Sequence, residues 1–267
     1  MGATSLVKIV GGRLLERVTL WARRGYGFCL VCGRWTFFRI SSANVREDCV
    51  CSHCGSINRQ RQIASILLRG QTGAERVNSV AAFRPPAGFR IYNTEASGSL
   101  HAHLKLLPGY LASDYFGPEF SSGDLHVGVL HQDLQQLSFA DASFDLVLSS
   151  EVFEHIPDPY LAHREVLRVL RPGGRHVFTV PFDGASANDD VRARLDGDGA
   201  IHHLKPPEYH GDPVRPEAGI LVYTIFGTEM LGNLERLGFD ARRHDINKPW
   251  FGIVGPSMMV FEAIKPG

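Results

Sequence analysis

The chain has 267 residues, of which 44% are hydrophobic and 21% charged, so it can build an ordinary globular core. It has no apolar run near the roughly 18 residues of a membrane span, and its N-terminus lacks signal-peptide features, so we expect a cytoplasmic protein. The net charge is zero, but residues 1–70 carry eleven Lys/Arg against three Asp/Glu, which favours either an anionic partner or attraction to the acidic remainder of the chain.

The first predicted element is an amphipathic helix in the N-terminal segment. Leu14, Val18 and Trp21 share one helix face, whereas Arg13 and Arg17 lie on another. A basic helix of this kind can lie on a membrane surface. Docking onto its own domain is the commoner role, and we favour it here.

Four cysteines form two C-x-x-C-G knuckles with the spacing of a zinc site. Cys29 and Cys32 make the first knuckle and Cys51 and Cys54 the second, with eighteen residues between them. Four thiolates suit tetrahedral Zn²⁺ and leave no open position, so we predict a structural zinc ion. Disulfides are the alternative, which a cytosolic location disfavours. Cys49 can replace Cys51 as a ligand, but Cys51 gives the cleaner knuckle.

A strand between the knuckles and a helix after them complete an N-terminal module. Residues 34–39 (RWTFFR) alternate as a strand does, so the module resembles a zinc ribbon. Residues 58–69 are expected to form a helix, and the PPAG sequence at 85–88 predicts a linker. The predicted organisation is a zinc module over 1–70, a linker over 71–88 and a main domain over 89–267.

The most informative stretch, residues 134–181, predicts a strand–helix–strand unit. Residues 144–149 (FDLVLS) are almost wholly apolar, as in a strand buried on both faces of a parallel sheet. A helix from about Tyr160 to Leu170 follows. The RPGG sequence ends it, because proline cannot continue a helix and glycine tolerates the left-handed cap. A second apolar strand covers residues 176–180.

This unit resembles the second half of a class I S-adenosylmethionine-dependent methyltransferase, of the type 11 kind. The matching segments are FDLVLSSEVFEHI, EVLRVLRPGG and HVFTVP, and the earlier CSHCGSINRQRQ resembles a group of bacterial methyltransferases with N-terminal zinc knuckles. The resemblance implies a doubly wound, Rossmann-like α/β sheet of seven strands with a reversed last pair. Four further strands are expected at 89–94, 110–114, 239–244 and 258–264, with a helix over 227–237.

The resemblance also implies a set of residues that bind S-adenosylmethionine beyond the carboxyl ends of the strands. They are Glu95, Gly98, Asp114, Tyr115, Asp133, Leu134 and Ser150. Asp114 is expected to accept hydrogen bonds from both ribose hydroxyls, with Tyr115 beside the adenosine. Asp133 is expected to meet the adenine amino group, and the next backbone amide a ring nitrogen. A turn or cap is the alternative for each aspartate. The loop EASGSL departs from the family, because it keeps one glycine.

Residues 182–219 lack strong periodicity and predict a lid over the acceptor site. The segment is rich in Gly, Pro, Asp and His. A hydroxyl acceptor must lose a proton, so histidines near this lid are the predicted catalytic bases. They are His155, His202, His203 and His210.

Glu151, Glu154 and His155 also have a second interpretation, as a divalent-cation site. The stretch is similar to that of ubiquinone-pathway O-methyltransferases and small-RNA 3′-end ribose methyltransferases, which hold a metal with E-x-x-E-H and a later histidine. His202 or His203 can complete such a site for Mg²⁺ or Mn²⁺. The favoured alternative has the glutamate capping a helix and His155 lining the pocket.

The sequence therefore predicts methyl transfer from S-adenosylmethionine to a small-molecule or glycan-type acceptor, preferably a hydroxyl. One alternative is an RNA methyltransferase whose basic zinc module grips phosphates. Stacking aromatics on an exposed face would favour it, whereas Trp35, Phe37 and Phe38 can equally form the small core of the module. Another alternative is a non-catalytic binding protein with a degenerate loop at 95–98.

Overall fold

The structure, a computed structural model, describes residues 25–70, 78–211, 219–256 and 259–267. The predicted helix carrying Leu14, Val18 and Trp21 lies outside these residues. Contacts within the chain divide it into two units. Unit 1 comprises residues 1–84, 98–104 and 245–260, and unit 2 comprises residues 85–97, 105–244 and 261–267.

The described part of unit 1 contains a small antiparallel sheet and two α-helices. Its elements are β1 (Tyr26–Phe28), β2 (Trp35–Arg39), β3 (Val50–Cys51), α1 (Asn58–Leu67) and α2 (Gly98–Leu104). The strands pair in the order β1-β2-β3. The alternation predicted for residues 34–39 is confirmed, because Thr36 and Phe38 are buried while their neighbours are exposed. The helix predicted over residues 58–69 is also confirmed, as α1. At its start the Ile57 amide donates a hydrogen bond to Gln60 Oε1 at 3.3 Å.

Unit 2 is built around a large mixed sheet. Its strands are β4 (Ile91–Asn93), β5 (Tyr110–Asp114), β6 (Leu125–His126), β7 (Val129–His131), β8 (Phe144–Ser150), β9 (Leu170–Thr179), β10 (Asp190–Val191), β11 (Ala193–Leu195), β12 (Ile201–His203), β13 (Tyr209–His210), β14 (Ile220–Leu221), β15 (Thr224–Ile225), β16 (Asp240–Asp245) and β17 (Met259–Ile264). Its helices are α3 (Pro159–Val169) and α4 (Glu229–Leu237). Among the described ranges, no helix combines the length and apolarity that a bilayer crossing requires.

Eight of the described strands form one sheet in the order β16-β17-β9-β8-β4-β5-β7-β6. The pairs β4–β5, β4–β8, β5–β7 and β8–β9 are parallel. β17 runs antiparallel to β9, with Phe261 opposite Phe178. The predicted Rossmann-like sheet is confirmed, and its last strand in the chain, β17, is reversed relative to β9. Its centre is apolar, with Val147 of β8 and Val177 of β9 completely buried.

The described sheet has one more strand than the seven predicted, namely the short edge strand β6. It pairs antiparallel with β7 across a two-residue turn, Val127-Gly128. Both turn residues have positive φ, 50° and 78°, which is typical of a type I′ turn. Valine rarely adopts this conformation, so the sequence gives no turn signal here.

Helix α3 has a clear start and a sharp end. The Asp158 side chain accepts hydrogen bonds from the Tyr160 and Leu161 amides at 3.1 and 2.9 Å, and Pro159 occupies the first turn. The helix ends at Val169, within one residue of the prediction. The RPGG sequence then belongs to β9, so this strand starts earlier than predicted.

The segment predicted as a lid contains paired strands rather than a featureless loop. Three small antiparallel pairs form around residues 190–225: β10 with β15, β11 with β12, and β13 with β14. The Tyr223 amide donates to the Glu154 carbonyl at 2.7 Å. This region is therefore tied to the turn that follows β8.

Candidate functional site

The carboxyl ends of β4, β5 and β8 lie at one edge of the sheet, because these strands are parallel neighbours. Asp114 ends β5, and its Oδ1 accepts a hydrogen bond from the Ala96 amide at 3.3 Å. Asn93 of β4 donates to the Glu95 carbonyl at 2.8 Å and to the Tyr110 hydroxyl at 3.0 Å. The structure thus brings the predicted ribose ligand and the loop at Glu95 together.

Gly98 is the single glycine of the predicted cofactor loop. Its φ is 75°, in the left-handed region that favours glycine, and α2 begins at this residue. A backbone requirement therefore accounts for the glycine, and its contact with a cofactor stays a prediction.

The predicted adenine-side residues lie after β5 and β7. Tyr115 is 39% exposed, and its ring lies 5.2 Å from that of His131. Asp133 Oδ1 accepts a hydrogen bond from the Gln135 amide at 2.8 Å, so this side chain shapes a turn. Leu134 is buried and Ser150 ends β8. The cofactor roles of these residues stay predictions.

Glu154, His155 and His210 form a cluster whose ligand atoms lie within 4.8 Å of one another. Glu154 Oε1 is 3.6 Å from His155 Nε2 and 3.8 Å from His210 Nδ1. His155 Nδ1 donates to the Leu221 carbonyl at 2.8 Å. In the neutral ring Nε2 therefore keeps a lone pair, which lies on the Glu154 side.

The Glu154 carboxyl group is completely buried, and neither oxygen has a hydrogen-bond partner among the described residues. Burial, with the negative charge of Glu151 adding to it, raises its pKa to about 7. The interaction with Glu154 in turn raises the pKa of His210. Near neutral pH this cluster can therefore exchange a proton or, once deprotonated, hold a cation.

A strained turn after β8 positions the cluster. Glu151 has φ of 54°, which is uncommon for a residue with a side chain, and its amide donates to the Thr179 carbonyl at 3.0 Å. The turn leads into a short 3₁₀ helix, Phe153–His155. Phe153 is buried against the ring of His163, with ring centroids 4.1 Å apart. Packing of Phe153 therefore fixes its two neighbours in the cluster.

The structure separates the four predicted catalytic histidines into two groups. His155 and His210 belong to the cluster. His202 and His203 lie exposed on the β11–β12 hairpin, where His202 Nε2 is 2.8 Å from Asp196. The sequence predicted His202 or His203 beside Glu154 as a metal ligand, whereas the ligand atoms that lie together include His210. Its position depends on the pairing of β13 with β14, a contact without a local sequence signal.

The four predicted zinc ligands also lie together, in unit 1. The Sγ atoms of Cys29 and Cys54 are 3.8 Å apart, and those of Cys32 and Cys51 are 3.9 Å apart. Tetrahedral Zn–S bonds of about 2.3 Å place sulfurs about 3.8 Å apart. All of these cysteines are free thiols in the structure. The donor set therefore fits Zn²⁺.

Arg61 and Cys49 lie beside the four-cysteine cluster without belonging to it. Arg61 is completely buried, with its guanidinium 4.4 Å from the Phe38 ring and 2.8 Å from the Gly252 carbonyl. Burial lowers the pKa of Arg61, and the negative charge of nearby cysteines once deprotonated, Cys49 first among them, would oppose this change. A cluster of metal-bound thiolates would supply that charge.

Comparisons with known proteins find partial similarity to methyltransferases. The sequence profile described as "Methyltransferase domain" matches residues 105–178. An uncharacterized methyltransferase of Mycobacterium sp. (strain KMS) is 39% identical over 97 residues, which cover 29% of this chain and 38% of that protein. The 27-O-demethylrifamycin SV methyltransferase of Amycolatopsis mediterranei is 36% identical over 83 residues, 30% of each chain.

A solved structure is also similar: an S-adenosylmethionine-dependent methyltransferase from Mesorhizobium loti. It is 18% identical with a TM-score of 0.43, covering 70% of this chain and 95% of that one. The chain spans about two fifths of the length of the mycobacterial relative that it matches. The matched region contains the Asp114 and Glu154 sites. Residues 105–178 thus match a methyltransferase domain profile, and in the structure they contribute strands to the Rossmann-like sheet of unit 2.

Proposed function

We propose that the chain transfers the methyl group of S-adenosylmethionine to a small-molecule or glycan-type acceptor, with a hydroxyl as the reacting group. The observation that carries this proposal is the buried Glu154 carboxylate with His155 and His210 against it. These residues follow β8, within a chain that matches a methyltransferase domain. A hydroxyl becomes a good nucleophile only as it loses its proton, and this cluster offers groups that can accept one.

Asp114 is the residue that we assign to cofactor binding. Its carboxylate lies at the carboxyl end of β5, where a nucleotide ligand of a Rossmann-like sheet binds. A carboxylate can accept hydrogen bonds from both ribose hydroxyls, and such charge-assisted bonds are stronger than neutral ones. The bound cofactor supplies an electrophilic methyl group, and the protein aligns the acceptor with it and excludes water.

The cluster has the groups that removal of the acceptor proton requires. The pKa of Glu154 is raised to about 7, so its carboxylate can accept a proton near neutral pH and release it again. His155 and His210 can hold the proton on its way to solvent, since His210 is about one third exposed. The strands at 190–225 would exclude water from the acceptor.

The same three residues fit a divalent cation. Two imidazoles and one carboxylate suit a first-row transition metal better than Mg²⁺, which prefers oxygen ligands. The His155 Nδ1 hydrogen bond to the Leu221 carbonyl is the kind of second contact that orients a metal-binding histidine. A bound cation would stabilise the deprotonated hydroxyl.

We expect His210→Ala to lower kcat about a hundredfold while leaving S-adenosylmethionine affinity nearly unchanged, since general-base catalysis contributes that much. The assay uses methyl-labelled S-adenosylmethionine with a panel of sugar, phenol and polyketide acceptors. His202→Ala is the matched comparison, because its ring lies on the exposed hairpin.

Chelation distinguishes the metal from a simple base in the same assay. If the cluster binds a cation, chelator abolishes turnover and Mn²⁺ restores it, with zinc still bound to the cysteines. Undiminished turnover after chelation rules out the metal. Equal losses in the His202 and His210 variants would contradict the assignment of the base to the cluster.

A further inference from the structure

The β1–β2 ribbon of unit 1 exposes an unusual number of aromatic rings. Tyr26, Trp35 and Phe37 are 47%, 55% and 57% exposed. Antiparallel pairing sets Tyr26 opposite Phe37 and Phe28 opposite Trp35, so all four rings lie on the same side of the ribbon. We call these four residues the aromatic face.

The rings of the aromatic face order one another. Tyr26 stacks on Trp35, with ring centroids 5.7 Å apart and planes 17° apart. Phe37 lies 5.1 Å from Tyr26, and Phe28 lies 5.8 Å from Trp35. Large exposed apolar areas usually mark a binding surface. Rings held in place lose little conformational entropy when a ligand binds, so this surface is prepared for a flat partner.

The aromatic face continues into a cavity of about 540 Å³. Phe28 and Trp35 line it together with Trp250 and Phe251, and the rings of Phe28 and Phe251 are 6.5 Å apart. Trp250 is 68% exposed. The cavity therefore extends the ribbon surface with two further aromatic side chains.

The cavity is also cationic. Arg69 and Lys248 line it, and among the described lining residues none is acidic. Burial lowers the pKa of the Lys248 ammonium, and the like charge of Arg69 lowers it further. Two like charges in one cavity repel each other, and an anion would relieve that repulsion.

Arg39 adds a positive charge to the ribbon itself. It occupies the exposed position after Trp35 and Phe37 in the alternation of β2, so it lies on the same side as the aromatic face. Residues 25–70 contain six arginines and two acidic residues, and one of those, Glu47, is paired with Arg59. The surroundings of the aromatic face are therefore positive as well.

We propose that unit 1 binds single-stranded nucleic acid, with bases stacked on Tyr26, Trp35 and Phe37 and phosphates held by Arg39, Arg69 and Lys248. Aromatic platforms flanked by cations are the usual means of binding single strands without sequence preference. Stacked rings beside fixed cations match a chain of flat bases linked by phosphates, and the experiment distinguishes this ligand from a protein partner or a membrane. The proposal does not depend on methyl transfer.

The test is a titration of the full-length protein into fluorescein-labelled oligouridine of about 12 nucleotides, followed by anisotropy without S-adenosylmethionine. We expect binding that weakens with salt. Trp35→Ala and Phe37→Ala should each raise Kd on the order of tenfold. Lys248→Gln and Arg39→Gln should each make the negative slope of log association constant against log salt concentration shallower by about 0.7.

Two controls remove an exposed apolar group or a cation elsewhere. Leu125→Ala and Arg242→Gln lie in unit 2, at exposed positions, and should bind as the wild type does. Circular dichroism and zinc content check that each variant is folded, and the Arg39 variant tests the proposal without removing a ring.

Three results would overturn the proposal: no binding at low salt, wild-type affinity in both aromatic variants, or duplex bound more tightly than single strand. Binding to anionic lipid vesicles but not to the oligonucleotide would likewise assign the surface to a membrane. The titration contains no S-adenosylmethionine, so its result does not depend on whether the protein transfers methyl groups.

Discussion

His163 and His176 are buried ionisable residues whose chemistry depends on their surroundings. His163 is completely buried, and neither of its ring nitrogens has a hydrogen-bond partner among the described residues. Burial lowers its pKa to about 3. Burial also lowers the pKa of His176, and the proximity of His163 adds to the effect. Both rings are therefore neutral in the folded protein, and they pack as aromatic core residues.

This neutrality predicts an acid-sensitive fold. Below the usual histidine pKa of about 6.5, His163 binds a proton in the unfolded chain but stays neutral in the folded protein. Stability is therefore complete above this pH and falls by about 1.4 kcal/mol per pH unit as pH drops towards 3. His163→Phe should reduce by about one the number of protons taken up on urea unfolding, and so make the free energy of unfolding less dependent on pH in this range. His203→Phe, at an exposed position, should not. Identical slopes for the wild type and His163→Phe would contradict this interpretation.

The strands that the sequence predicted were found from local patterns or from the family resemblance. β5 and β8 match their predicted bounds to within one residue: β8 is a continuous apolar run, and β5 was placed by the family resemblance, with an acid at its end. The short pairs at residues 190–225 were missed because strands of two or three residues have no periodicity. Each exists through its partner, as β13 does through β14.

The candidate site likewise combines residues that the sequence predicted with one whose position depends on a distant strand. Glu154 and His155 were predicted because the E-x-x-E-H stretch is similar to that of metal-binding methyltransferases. His210 was predicted as a base, but its place beside Glu154 depends on a long-range strand pair. The alternative that Asp133 serves a turn is what its hydrogen bond to Gln135 supports.

At the scale of elements, the two knuckles predict one tightly bound zinc ion per chain. Cys51→Ser removes a ligand and should release the metal and lower the thermal stability of unit 1. Cys49→Ser should keep the zinc, because Cys49 Sγ faces the Gly252 carbonyl at 3.5 Å rather than the four-cysteine cluster. Elemental analysis of freshly reduced protein checks both variants. Zinc loss in Cys49→Ser, or its absence from the wild type, would refute the assignment.

Over the whole molecule, the chain combines a basic unit with a region that matches a methyltransferase domain profile. Basic residues dominate the first seventy positions, and the rest of the chain is acidic. The aromatic and cationic surface of unit 1 gives that asymmetry a specific interpretation as a nucleic-acid contact. The cluster around Glu154 gives unit 2 an interpretation as the site that accepts a proton from the acceptor. The two interpretations are tested separately, since each depends on its own residues.

Binding of S-adenosylmethionine is the central claim, since the alternative is a protein that no longer holds the cofactor. Calorimetric titration of the full-length protein tests it most directly, with Asp198→Ala, an exposed aspartate, as the control. We predict saturable binding of one cofactor per chain. Asp114→Ala should lose about 1.5–3 kcal/mol of binding free energy, the contribution of hydrogen bonds to a charged group. No heat of binding, or the same affinity in Asp114→Ala as in the wild type, would contradict the account.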